Sequence, residues 1–216
     1  MSDSRQNRKA LPMWDGWFRS KRGIPVYDPW LDEYSEELVV RKNGDFLDLG
    51  CGMGANTQYL LERGYSVLSA DYSREGLKSI EQFIPGSKTR YLDMNDAFPF
   101  PDDSFDVIVA DICLHYFPAN KTGEIMQEIR RVLKPGGILL ARVSSINDTW
   151  YGAGSGRELE PRFYDHGSYA QRYFNDQDIE RFFGLVGILR YRETAMTRAD
   201  AYYSHPKMLY EVAVRK

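Results

Sequence analysis

The chain has 216 residues, a net charge of −3, and 43% apolar and 27% charged residues, the proportions of an ordinary globular chain of one domain. The acidic balance excludes the overall basic footprint of a nucleic-acid binder, and no run approaches the ~20 apolar residues of a membrane span. Two cysteines (Cys51, Cys113) and three scattered histidines (His115, His166, His205) suggest neither a disulfide framework nor a metal site, so a reduced, cytoplasmic setting is expected.

Residues 1–22 hold six Lys or Arg against two Asp and read as a solvated basic tail without the apolar core of a secretory signal. PWLDEYSEELVVRK (29–42) predicts a helix with Asp28 as N-cap and Pro29 at the first helical position, ended by Asn43-Gly44. A short strand, FLDL (46–49), follows, then a helix over 56–63 stopped by Gly64 and a strand over 66–70. The next helix, 73–83, is capped by Ser73 and closed by Pro85-Gly86, and strands follow at 89–92 and 105–110. Ile125, Met126, Ile129, Val132 and Leu133 recur at helical spacing over 122–133; Lys134-Pro135-Gly136-Gly137 breaks that helix, and 138–143 is a fifth strand. A helix over 176–183 and strands over 188–194 and 209–214 complete the chain. Strands alternating with helices over about 100 residues indicate a parallel α/β sheet covered on both faces. Such sheets bind ligands at the carboxyl ends of their strands.

The first strand runs into FLDLGCGMGANTQYL (46–60), with three glycines in five residues ahead of a helix. Glycines permit tight turning and close backbone approach, and the helix start offers free N–H groups and its positive dipole end. Three ligands compete for such a loop. A nucleoside triphosphate needs a Gly-x-x-x-x-Gly-Lys pattern, and no Lys follows. A dinucleotide needs Gly-x-Gly-x-x-Gly, and this loop is one residue short; Asp48 beside a pyrophosphate is also poorly placed. S-adenosylmethionine carries a carboxylate for the helix start and an ammonium for Asp48.

Leu47 to Gly54 (LDLGCGMG) resembles the first motif of the class I S-adenosylmethionine-dependent methyltransferases, and further motifs follow in the family's order over 44–144. The resemblance implies a Rossmann-like, seven-stranded, mostly parallel sheet with helices on both faces and a C-terminal antiparallel hairpin whose last strand inserts beside the fifth. It also implies that Asp48, Gly50, Cys51, Gly52 and Gly54 hold the amino-acid part of the cofactor. Asp71, 17 residues after Gly54, would accept from the ribose hydroxyls, with Tyr72 against the adenine. Asp93 and Met94 would contact the adenine edge, and Asp111 would stand beside the methionine part. The length and motif style are loosely similar to small bacterial tellurite-resistance and thiopurine methyltransferases.

In-line methyl transfer needs little beyond alignment and exclusion of water, with a base only where the acceptor must lose a proton. His115 and Tyr116, after the fourth strand, are the candidate catalytic residues, with His166 a further candidate base; a structural hydrogen bond at a helix start is the alternative for His115. The acceptor pocket is expected from residues 11–35 and 147–174. The second stretch holds seven aromatics in the 25 residues from Trp150 to Phe174 and is long enough for a lid. Trp17, Tyr151, Tyr164, His166, Tyr169 and Arg172 are the substrate-binding candidates; lid packing is the alternative for the aromatics. Trp14, Phe18, Tyr27 and Trp30 would add a second wall or core packing, and the 196–208 loop would bring Arg198, Tyr202 and Tyr203. The domain then divides into a tail and lid helix (1–43), a cofactor core (44–144), a substrate lid (145–174) and a C-terminal helix and hairpin (175–216). A small-molecule acceptor is expected. Macromolecular methylation and cofactor binding without turnover are the competing readings; Asp111-Ile112-Cys113-Leu114 stands where amino-directed nucleic-acid enzymes often carry Asn/Asp-Pro-Pro-Tyr/Phe.

Overall fold

The computed structural model describes residues 10–21, 23–196 and 204–216. Strands β1 (Phe46–Leu49), β2 (Val67–Asp71), β3 (Lys88–Tyr91), β4 (Phe105–Asp111), β5 (Leu133–Ser144), β9 (Ile188–Ala195) and β10 (Met208–Arg215) form one sheet in the order β3-β2-β1-β4-β5-β10-β9. The first five run parallel, and β10 enters antiparallel between β5 and β9. Strand order reverses around β1, with β2 on one side and β4 on the other, which opens a crevice at the carboxyl ends of β1 and β4.

Side-chain alternation explains why both faces are covered. Leu47, Leu49, Ile108, Ala110, Leu139 and Ala141 join the core under α5 (Ala119–Val132) and α6 (Asp176–Phe183). Phe46, Val107, Val109, Ile138 and Leu140 point the other way, onto Tyr59 and Leu60 of α3 (Ala55–Glu62) and onto Trp30, Leu31, Tyr34 and Leu38. Helix α4 (Arg74–Phe83) starts as expected: the Ser73 hydroxyl accepts from Gly76 N–H at 3.1 Å.

Three expectations change. The helix expected over 29–42 is a 3-10 turn, Pro29–Tyr34, followed by a short helix α2, Ser35–Val39. Asp28 does not cap it: its carboxylate is buried and accepts from Arg142 Nη1 at 2.7 Å, since a buried guanidinium requires a counter-charge. The tail reading fails from residue 10 onward, because Leu11–Ser20 is a helix, α1, that buries Phe18 and docks on α4. The lid stretch carries structure of its own, a three-stranded antiparallel sheet of β6 (Arg157–Glu160), β7 (Phe163–Asp165) and β8 (Ala170–Arg172). Arg198, Tyr202 and Tyr203 lie outside the described residues.

Candidate active site

The glycine loop turns at the end of β1 with φ of +70°, +53° and +88° at Gly50, Gly52 and Gly54, a region open to glycine at little cost. A Cβ at Gly50 would lie 2.5 Å from the Cys113 Cβ, so space as well as φ requires glycine there. Gly50 and Cys51 N–H donate to Ala70 O at 2.8 and 3.1 Å, which ties the loop to β2. Helix α3 begins at Ala55, directly after the left-handed Gly54.

Two cavities meet over this loop. A cavity of about 130 Å³ is lined by Asp71, Tyr72, Asp93 and Met94 on one side and by Trp14 and Phe18 of α1 on the other. A larger cavity of about 580 Å³ is lined by Trp14, Trp17, Tyr116, Trp150, Tyr151 and Tyr169, with Asn56, Asp111, His166, Gln171 and Lys207 as its polar residues. Trp14, Gly50, Gly52, Ile112 and Tyr116 line both. The two spaces therefore share a wall at the switch point of the sheet.

The four carboxylates differ in environment. Asp71 is buried, and its oxygens accept from Gly52 N–H at 2.9 Å and Ser73 N–H at 2.7 Å. Burial pushes its pKa up to about 6 against those hydrogen bonds. Asp93 accepts from the backbone N–H and the side-chain amide of Asn95, at 2.9 and 2.8 Å. Asp48 is buried under the loop; Thr57 donates to its Oδ2 at 2.7 Å, and among the described residues Oδ1 has no hydrogen-bond partner. Burial, reinforced by the negative charges of Asp111 and Asp71, lifts Asp48 to about 7 despite the Thr57 hydrogen bond. Asp111 is clasped by Arg142, with Nε to Oδ1 at 2.7 Å and Nη2 to Oδ2 at 2.9 Å, and Asn56 Nδ2 adds a bond at 3.2 Å. The Arg142 guanidinium stacks 4.7 Å from the Trp30 ring, whose Nε1 donates to Asn56 Oδ1 at 3.0 Å.

The other candidates separate. Cys51 and Cys113 are free and buried, and burial raises both thiols well above their ordinary range, which suits packing and not nucleophilic attack. Tyr116 lines both cavities, whereas His115 is fully buried and lines neither. Ser144 N–H donates to His115 Nδ1 at 3.2 Å, so the ring proton sits on Nε2. Burial, with Lys207 nearby, holds His115 well below its ordinary pKa. Trp17, Tyr151, His166 and Tyr169 all line the larger cavity. The Tyr173 hydroxyl donates to Tyr151 O at 2.6 Å, so its 3.2 Å contact with His166 Nε2 makes that nitrogen the donor and leaves His166 Nδ1 unprotonated. Tyr164 and Arg172 line neither cavity. Tyr164 packs against Tyr173, while Arg172 bonds Glu160 and Pro161 O and stacks on Phe163 and Phe182. Tyr27 packs on Tyr59, and Trp30 on Tyr34, away from both cavities. Asn56, Gln171 and Lys207 were not predicted; nothing in the linear sequence sets them apart from other polar residues. Arg142 lies inside a strand whose continuous apolar run signals burial on both faces.

Residues 47–141 match the family model described as a methyltransferase domain. A tRNA N(3)-cytidine methyltransferase, METTL2 of Danio rerio, is 29% identical over 182 residues, which cover 78% of this chain and 52% of the relative. A SAM-dependent methyltransferase structure from Methanosarcina mazei has a TM-score of 0.70 at 20% identity, over 89% of this chain and 99% of that one. TehB from Haemophilus influenzae has a TM-score of 0.62 at 18% identity, over 86% and 62% of the two chains. At these identities the structures share the fold. The chain spans about half the length of the curated relatives it matches.

The residues present fit S-adenosylmethionine. One oxygen of the buried Asp48, behind the glycine loop, has no hydrogen-bond partner among the described residues, and an ammonium is the group that would satisfy it. Asp71, Tyr72, Asp93 and Met94 line the smaller cavity together with Gly50 and Gly52, which gives acceptors and an apolar wall of the kind a nucleoside needs. Residues 47–141 are therefore similar to a methyltransferase domain, and the chain shares the fold of S-adenosylmethionine-dependent methyltransferase structures.

Proposed function

We propose that the protein transfers a methyl group from S-adenosylmethionine to a small-molecule acceptor held in the larger cavity. The observation that carries this reading is the shared wall: Trp14, Gly50, Gly52, Ile112 and Tyr116 line both cavities, so two ligands can meet there. When bound, the cofactor supplies an activated methyl group. Asp71 would accept from the ribose hydroxyls, Tyr72, Asp93 and Met94 would hold the adenine, and Asp48 with residues 50–54 would hold the amino-acid end. Asp111, clasped by Arg142, would face that same end. Trp17, Tyr151, His166 and Tyr169 would orient the acceptor, and α1 with the aromatic walls would exclude water. Tyr116 is the candidate for contact with the reacting atoms. Residues 44–144 would then form the cofactor core, 145–174 the acceptor lid and 175–216 the closing hairpin, in a reduced cytoplasmic setting that suits two free buried cysteines.

A second reading, methylation of RNA, is favoured by the similarity to a tRNA methyltransferase over 78% of the chain. The net charge of −3 weighs against it. Release of S-adenosylhomocysteine across a panel of phenols, carboxylic acids, thiols, amines, tellurite and tRNA tests both. Release with a small acceptor is the expected outcome. Release with tRNA alone supports the second reading, and no release with calorimetrically confirmed cofactor binding supports a binding protein without turnover.

A further inference from the structure

The polar groups that line the larger cavity differ in what they still have to offer a ligand. Asn56 is engaged at both ends of its amide, by Trp30 Nε1 at one and by Asp111 at the other, and both Asp111 oxygens accept from Arg142. Gln171 and His166 line the same cavity, and each keeps a spare acceptor.

Gln171 is 3% exposed. Its Nε2 donates to Ser144 Oγ at 2.9 Å, so the amide nitrogen is turned back onto the end of β5 and the carbonyl oxygen is the end left for the cavity. Among the described residues no hydrogen bond reaches that oxygen. A buried carbonyl without a donor costs free energy that an apolar side chain of similar length avoids. A ligand that brings the donor removes that cost.

His166 arrives at the same condition by another route. Its Nε2–H goes to the Tyr173 hydroxyl, which leaves Nδ1 as a bare acceptor. Burial holds the ring below its ordinary pKa, with Asp165 opposing, so the neutral form persists. The ring is packed into place: a Cβ on Gly152 would lie 2.7 Å from His166 Cε1 and 2.8 Å from the Tyr173 hydroxyl. One hairpin carries both groups. Gln171 pairs with Tyr164 across β7 and β8, and His166 N–H donates to Tyr169 O at 2.9 Å in the turn between them.

The rings define the rest of the ligand. Trp14, Trp17, Tyr116, Trp150, Tyr151 and Tyr169 line the cavity, and such walls favour a planar, polarisable guest. We propose that the larger cavity selects a planar aromatic acceptor that carries O–H or N–H donors, with Gln171 Oε1 and His166 Nδ1 as the atoms that receive them. The word acceptor rests on the methyltransferase reading, but the selectivity of the cavity is measurable without turnover.

The test uses resorcinol, 3-fluorophenol and 1,3-difluorobenzene, which offer two, one and no donors on nearly the same shape. All are neutral at about pH 7, since phenols ionise near pH 10. Binding is followed by quenching of tryptophan fluorescence, with Trp14, Trp17 and Trp150 at the cavity as reporters, with and without S-adenosylhomocysteine. The quantity read is the affinity of resorcinol relative to that of 1,3-difluorobenzene, which cancels the general effect of a variant on the cavity. That ratio is expected to fall at least ~5-fold in Gln171→Met and in His166→Phe, the scale of one hydrogen bond each, and further in the double variant, with 3-fluorophenol between. Gln171→Glu keeps an oxygen at the position and is expected to keep the ratio. Cofactor affinity by calorimetry is expected to hold in all four variants. A ratio unchanged in Gln171→Met and His166→Phe, a ratio lost as fully in Gln171→Glu as in Gln171→Met, or no binding of any probe at millimolar concentration overturns the proposal. Failure of the cofactor to bind the wild-type protein, with the donor preference intact, overturns the methyltransferase reading instead.

Discussion

Arg142 holds both carboxylate oxygens of Asp111, at 2.7 and 2.9 Å, and reaches Asp28 with its third nitrogen at 2.7 Å. Two aspartates share one buried guanidinium, and their charges raise its pKa against the lowering effect of burial. The group welds the segment before residue 29 to the end of β4 and sets the carboxylate at the floor of the larger cavity. Arg142→Met would remove the counter-charge that both carboxylates share, and a loss of about 3–5 kcal/mol in unfolding free energy is expected. Arg142→Lys cannot reproduce the fork and should recover only part of it. Urea denaturation checks both; wild-type stability in Arg142→Met would mean the network is dispensable.

Asp48, proposed to meet the cofactor ammonium, would link cofactor binding to pH. A carboxyl group whose folded pKa, about 7, lies above its unfolded value of 3.8 binds extra protons in the native state. Its contribution to stability is present in full below pH 3.8 and is lost as pH rises through 7. Asp71, raised to about 6, acts in the same direction. The protein without cofactor should therefore lose stability between about pH 4 and 7, and Asp48→Asn should flatten that slope. A cofactor ammonium favours the ionised carboxylate, so S-adenosylmethionine affinity should rise over pH 6–8 by up to ~10-fold per unit. Calorimetry across that range checks it; an equally steep rise in Asp48→Asn would remove Asp48 from the account.

Gly76 is a second-element requirement of the glycine loop. A Cβ there would lie 2.7 Å from Gly52 O, a backbone atom that cannot swing aside, and 3.3 Å from Phe18. Gly76→Ala should cost about 1–3 kcal/mol by overpacking and weaken cofactor binding by displacing the loop. Thermal unfolding with and without S-adenosylhomocysteine measures both, and an unchanged ligand-induced shift would show the loop undisturbed.

His115→Asn supplies an amide oxygen near the position of Nδ1 and can keep the Ser144 hydrogen bond. Turnover within about threefold of wild type is expected, because the histidine lines neither cavity and its accepting nitrogen already takes a backbone proton. A fall in kcat of ~100-fold with unchanged cofactor affinity would restore His115 as a base.

The sheet and the cofactor loop were legible in the sequence because they depend on short-range signals. FLDLGCGMG needs its glycines and its acid whatever packs around them, and strands such as FDVIVA declare burial on both faces. The lid was less legible: RELE, FYD and AQR are too short for periodicity to resolve, and among the described residues they pair with one another in a sheet of their own. Tyr164 and Arg172 look like their cavity-lining neighbours in a linear chain. Which of them faces the cavity depends on the pleat of β7 and β8 and on partners such as Glu160 and Phe182.

By itself, then, the sequence determined a parallel α/β sheet and the order of its strands, and suggested a loop suited to a zwitterionic cofactor, through local periodicity, glycine conformation and the placement of acids at strand ends. Tertiary structure alone decided that Asp28 serves Arg142 and not a helix end, that His115 is sealed from both cavities, and that Lys207, 36 residues beyond Gln171 in the chain, lines the same cavity. Charges and rings far apart in sequence acquire roles only when burial removes water and leaves them one another as partners.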